Sequence, residues 1–141
     1  MQRWATAGLV LRPGASHAVL RDFEQRHAIR LPVEMRALYK AVDGMEENVM
    51  DGELVRFWQL SELKPPSNEI YRNASSDVAY AGYYLFADWS LWAHGYAVQL
   101  AREDSHGAVA IVAHATPRVL TNTFEEFLHL YIRNDPALFV P

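Results

Sequence analysis

The chain of 141 residues contains no cysteine. That excludes disulfides, zinc–thiolate sites and thiol nucleophiles together, and points to a reducing compartment. Basic charge is not in excess either. The formal net charge is −4, whereas a nucleic-acid binder carries a basic stripe. Long apolar runs are missing too: the uncharged stretch 89–101 includes His94, Gly95 and Gln99 and falls well short of the roughly 20 residues of a membrane span. Arg3 followed by the apolar stretch 4–11 comes nearest to a leader. Arg12 breaks it and Thr6 and Gly8 dilute it, so a first strand or an ordered tail is expected there. These absences together predict a soluble cytoplasmic protein with no direct contact to membrane or nucleic acid.

Signatures of catalysis are also scarce. The histidines at 17, 27, 94, 106, 114 and 129 include no pair at the i, i+4 spacing of a helical zinc site. Gly14-Ala15-Ser16-His17-Ala18 lacks the second glycine of a nucleophile elbow, and no glycine-rich phosphate loop is present. Asp88 and His94 flank one turn and offer a single acid–base pairing. The simpler reading is that Asp88 caps the turn and His94 packs in an aromatic strand. No catalytic residue, metal ligand or cofactor site is assigned, and the chain is read as a non-enzyme.

What is present is a strongly marked order of elements. A length of 141 residues suits one domain, 1–141, able to bury about two-thirds of its unfolded surface. Pro13-Gly14 makes a turn, Ser16 caps a helix running to about His27, and Val19, Leu20 and Phe23 mark its buried face. Ile29 and Leu31 lead directly into a second helix over 31–44. Proline opens it at position 32, Met35, Leu38, Tyr39 and Val42 form its apolar stripe, and Gly44 closes it. A polar loop over 45–52 precedes a strand at 54–60, which Pro65-Pro66 keeps from continuing. Residues 67–79 read equally as loop or irregular helix.

Three further strands follow, at 83–89, 92–100 and 108–113, with a last short one at 119–120. In the second of these, Trp92, His94, Tyr96, Val98 and Leu100 alternate with Ala93, Gly95, Ala97 and Gln99, giving one large and one small face. Thr123 and Glu126 form a capping box for a final helix with Phe124, Phe127, Leu128 and Tyr131 on one side, and Asn134-Asp135-Pro136 ends it. Helices set apart from a run of strands indicate an α+β fold. Two N-terminal helices and a C-terminal helix are expected on a mainly antiparallel sheet.

One charge feature rises above this background. Asp43, Glu46, Glu47, Asp51 and Glu53 lie together without a lysine or arginine among them, and without them 12 acidic residues face 13 basic ones. The cluster follows a helix C-terminus, where negative charge is disfavoured. It is read as either a solvated loop or a surface kept for a partner. Among the tryptophans, Trp89 and Trp92 straddle a strand junction, where exposed rings anchor interfaces. The seven residues form the candidate partner-binding set.

Phe23-Glu24, Ile29-Arg30-Leu31-Pro32, Leu38-Tyr39 and Gly44 together resemble the N-terminal signature of the SUKH superfamily, which includes fungal Smi/Knr cell-wall regulators and bacterial immunity proteins. Phe86-Ala87-Asp88-Trp89 with Tyr96-Ala97-Val98 is similar to its central strand pair, and Phe124-Glu125-Glu126-Phe127-Leu128 to its closing helix. The resemblance implies a non-enzymatic protein-binding domain. A monomer or weak dimer is expected. Its implied bacterial role is to neutralise a cognate toxin of the nuclease or deaminase type. An acidic loop suits a toxin with a basic surface. A regulatory or scaffolding domain without a toxin partner, and a ligand-binding protein or enzyme with an unrecognised pocket, stay open as alternatives.

Overall fold

A computed structural model describes residues 2–6, 8–66, 79–103, 106–114 and 116–140. Its core is a five-stranded sheet in sequence order, each strand antiparallel to the next: β1 (Val55–Phe57), β2 (Tyr83–Trp89), β3 (His94–Gln99), β4 (Val109–Val112) and β5 (Arg118–Thr121). The helices given in full by the described residues are α1 (Gln2–Thr6), α2 (His17–His27), α3 (Val33–Ala41) and α4 (Phe124–Ile132). Short 3-10 turns occupy Leu60–Glu62 and Pro136–Phe139. The expected α+β architecture is present. Of the stretch 67–79, for which two readings were open, residues 67–78 lie outside the described residues.

Local chemistry accounts for most element ends. The Ser16 side chain accepts the Val19 N–H at 3.2 Å and starts α2. Leu20 and Phe23 face the core, but Val19 turns to solvent at 51% exposure, at the margin of the stripe rather than in it. The Thr123 hydroxyl accepts the Glu126 N–H at 3.0 Å, and the Glu126 carboxylate reaches past the cap to the Asn122 N–H. The second helix is shorter than expected. Pro32 is its cap, and the backbone is already extended at Val42, so Gly44 does not close it. The left-handed Gly44 instead lets the loop lie against β1: a Cβ there would sit 2.3 Å from the Trp58 carbonyl oxygen.

Two more expectations are corrected. Residues 2–6 form a helical turn, not a strand or tail, because Trp4 is buried and its indole N–H donates to the Tyr131 hydroxyl at 2.6 Å. The strand expected over 54–60 is confined to Val55–Phe57, since Leu54 is left-handed and Leu60–Glu62 turns away.

One face of the sheet carries the aromatic core. Phe127 of α4 meets Phe57, Phe86 and Tyr96 from three successive strands, and Phe57 also meets Trp4 and Tyr131. A register shift between Leu85 and Ala87 adds Phe86 to this cluster. On the small face, the missing Cβ of Gly95 makes room for the Leu85 side chain.

His94 is fully buried, with its Nε2 at 2.9 Å from the Leu138 carbonyl, which the Tyr96 hydroxyl also engages at 2.8 Å. Nδ1 is buried without a partner among the described residues. Burial therefore holds the His94 pKa below its ordinary value of 6.5, with Arg118 adding to the effect. A base with a lowered folded-state pKa takes up protons first in the unfolded chain. Its contribution is complete above about pH 6.5, the unfolded value, and is lost as the pH falls from there through the lower folded-state pKa. Unfolding free energies of the native chain should decline between pH 7 and 5, and His94→Asn should flatten that slope. Parallel slopes in denaturant titrations would show that His94 stays out of the acid response.

Candidate functional site

The loop after α3 and the turn between β2 and β3 meet beside β1, the edge strand. The loop is fixed by its backbone and by two cations, Arg56 from inside and Arg12, which donates to the Asp43 carbonyl at 3.0 Å, from outside. Met45 N–H donates to the Phe57 carbonyl at 2.8 Å. Arg56, 8% exposed in mid-strand, donates to the Met45 and Glu46 carbonyls, each at 3.0 Å, and grips Glu62 with both terminal nitrogens at 2.7 and 3.1 Å. Arg56 was not singled out in the sequence. Its signal was a charged residue inside the apolar triplet Val55-Arg56-Phe57.

The acidic residues divide by role. Asp51 is buried: one oxygen accepts the Glu53 and Val55 N–H groups at 2.8 and 3.0 Å, and the other accepts the Tyr131 hydroxyl. Asp43 accepts the Leu60 N–H at 2.8 Å and lies 3.9 Å from Arg12. These two carboxylates build the loop. Glu46 points outward with Arg12 at 2.6 Å. Glu53 is exposed, with the Asn134 amide at 3.4 Å, and Glu47 is exposed with no ion-pair partner among the described residues. The outward charge thus falls on Glu46, Glu47 and Glu53.

The tryptophans are placed differently from each other. Trp89 is half-buried against Phe139 and His94, and its indole N–H donates to the Glu53 carbonyl at 3.0 Å, tying β2 to the acidic loop. Trp92 leaves the strand alternation that the sequence suggested. Ser90, Leu91 and Trp92 have φ of 51°, 52° and 74°, three left-handed residues in succession, none of them glycine. That backbone costs about 1–2 kcal/mol per residue. It is held by Ser90 N–H to the Leu54 carbonyl at 2.9 Å, by Ala93 N–H to the Trp89 carbonyl at 3.0 Å, and by Asp88, which accepts the Trp92 N–H. The result sets the Trp92 ring edge-on to Trp58 at 4.9 Å while leaving Trp92 42% and Leu91 65% exposed.

Asp88 and His94 do not meet. Directly opposed residues share a sheet face, and Asp88 opposes Arg56 and Gly95 whereas His94 opposes Trp89. Asp88 accepts the Trp58 indole N–H at 2.7 Å, and its burial raises its carboxyl above the ordinary range, against the pull of Trp58 and Arg56.

Between loop and turn lies a cavity of about 140 Å³ whose walls include Glu47, Met50, Arg56, Asp88, Leu91 and Trp92. A second concavity, apolar and about 380 Å³, runs between α3 and α4 over Trp4, Phe57 and Tyr131, with Leu38 and Ile132 on its sides and Glu34 at its rim. Among the described residues no three His, Asp or Glu side chains converge as a metal site, and no helix is long and apolar enough to cross a membrane.

A comparison with curated proteins finds no match. The family model described as the SMI1 / KNR4 family (SUKH-1) matches residues 14–129, which takes in α2, α3, all five strands and most of α4. The chain belongs to the SMI1 / KNR4 family (SUKH-1).

Proposed function

We propose that this protein is a non-enzymatic binding domain acting as an immunity protein, which neutralises a cognate bacterial toxin by direct contact. The observation that carries the reading is the Ser90-Leu91-Trp92 tip, a left-handed turn holding two exposed apolar side chains beside the unpaired Glu47. Strained backbone persists where the surroundings enforce it, and it clusters at functional sites. A rigid aromatic anchor flanked by outward carboxylates suits a partner with a basic surface: the charge steers the approach, and the ring sets the lifetime of the complex. Family membership supports the same class of function.

The test is binding kinetics against the toxin encoded beside this gene, at two salt concentrations. Glu47→Lys with Glu53→Lys should slow association and flatten its salt dependence, because exposed charges are screened within about 8 Å at physiological ionic strength. Trp92→Ala should leave association nearly unchanged and weaken the complex by about 30-fold through faster dissociation, the order expected of an interface hot spot. A complex indifferent to all three changes would move the interface off this surface. A protein that binds no toxin but captures a regulatory partner through the same residues would favour the scaffolding reading.

A further inference from the structure

At the opposite end of α3 from the acidic loop, the fold gathers arginines that lie far apart in the sequence. Arg21 comes from α2, Arg30 from the α2–α3 connection, Arg36 from the first turns of α3, and Arg102 from the chain beyond β3. They surround two adjoining depressions of about 430 and 380 Å³ that share Arg21, Glu24, Arg30 and Arg36 as walls. The net charge of −4 conceals this concentration.

Compensation inside the cluster is incomplete. Glu24, the one carboxylate among the described residues that line it, is taken by Arg36 in an ion pair and by the Leu31 N–H at 2.8 Å. Arg21 donates to the His17 imidazole at 2.8 Å, a contact that orients the guanidinium without neutralising it. Arg30 and Arg102 have no carboxylate partner among the described residues. Their backbones are nonetheless fixed side by side, because the Arg30 N–H donates to the Ala101 carbonyl at 2.8 Å in an isolated β-bridge. Val33, the first residue of α3, lines the larger depression, and that helix start has no side-chain cap. Its free N–H groups and dipole add positive potential to that of the arginines.

We infer that these depressions form a binding site for a multivalent phosphate group, of the pyrophosphate or phosphate-ester type. Three guanidinium groups without counter-charge among the described residues repel one another unless an anion joins them, and each presents a planar fork of donors that matches phosphate oxygens. A single carboxylate brings one charge to three cations and leaves most of the repulsion in place. Among the described residues the walls contain no Phe, Tyr or Trp on which a base could stack, so the recognition falls on the phosphates themselves. The site is separate from the toxin-facing surface proposed above and does not depend on it.

Inorganic pyrophosphate is the first probe, titrated calorimetrically into the full chain at constant ionic strength, followed by orthophosphate and ADP. Saturable one-to-one binding of pyrophosphate, tighter than about 1 mM and stronger than orthophosphate, is expected. ADP binding no better than pyrophosphate points to a free polyphosphate source, and tighter ADP binding to a nucleotide. Both outcomes support the site. Arg30→Gln and Arg102→Gln, at exposed positions, should each weaken binding about tenfold, the usual order for a lost charge-assisted contact. Arg26→Gln, which breaks a pair with Asp22 on α2 outside both depressions, should change nothing. Absence of saturable binding up to about 10 mM, or an equal loss in all three variants, would overturn the assignment. So would a single-stranded oligonucleotide that binds and is not displaced by pyrophosphate.

Discussion

Replacing Phe127 with alanine is expected to cost about 3–5 kcal/mol of stability. The ring is fully buried and lies within 6.2 Å of four other rings: Phe57 of β1, Phe86 of β2, Tyr96 of β3 and Phe124 one turn earlier in α4. It is the point at which the closing helix meets three strands, so its loss leaves a cavity that no single element can collapse to fill. Edge-on and tilted ring pairs add about 0.5–1.5 kcal/mol each beyond the area they bury. Against the 5–15 kcal/mol typical of a whole domain, the loss is a large fraction, and the thermal midpoint should fall by roughly 10–20 °C. Leu38→Ala should cost less, since Leu38 is only partly buried and already borders the open groove between α3 and α4. Urea titrations of the two variants measure both. A Phe127→Ala loss below about 1 kcal/mol would mean that α4 is not the keystone of the core.

Arg56→Ala is expected to cost about 2–4 kcal/mol, through polar rather than apolar loss. The substitution strands Glu62 and two loop carbonyls at once. The range sits below that of a fully buried pair because the Glu62 side chain keeps 34% of its exposure and water can reach it. Two readouts separate this role from simple packing. Amide exchange at 45–48 should quicken in Arg56→Met, which keeps most of the stem and loses every hydrogen bond. Adding Glu62→Met should then recover part of the stability, because the second change removes the stranded charge. No recovery in the double variant would show that the loop is held by its backbone contacts alone. Since the same loop carries Glu46 and Glu47, Arg56→Met should also blunt any association that depends on them.

Element order and type were legible in the sequence because they rest on local rules. Ser16 and Thr123 are caps wherever a helix follows them, and the spacing of Phe124, Phe127 and Tyr131 makes one face whatever lies opposite. Alternation in β3 and the prolines after Leu63 likewise act within a few residues. Helix lengths were less legible. The apolar stripe through Val42 serves equally a last helical turn or a buried extended residue, and the chain takes the second, pairing with β1 three residues on through the Met45 N–H and the Phe57 carbonyl.

The surfaces were decided by tertiary structure. Five acidic residues look alike in sequence, yet Asp51 is turned inward by Tyr131, 80 residues away, and Asp43 by the Leu60 N–H. Trp92 fits the alternation of a strand, yet three left-handed residues held from Leu54 and Asp88 set it against Trp58 instead. The arginine cluster had no sequence signal at all, since its four members are spread over 82 residues of an acidic chain and converge through the Arg30–Ala101 bridge and the Glu24–Arg36 pair. The sequence by itself determined which segments become helix or strand and that they form an antiparallel α+β domain, because capping, periodicity and turn chemistry act between near neighbours. Only the tertiary structure decided which charges and rings face outward, because desolvation, counter-charge and backbone strain are settled by residues that meet across the fold.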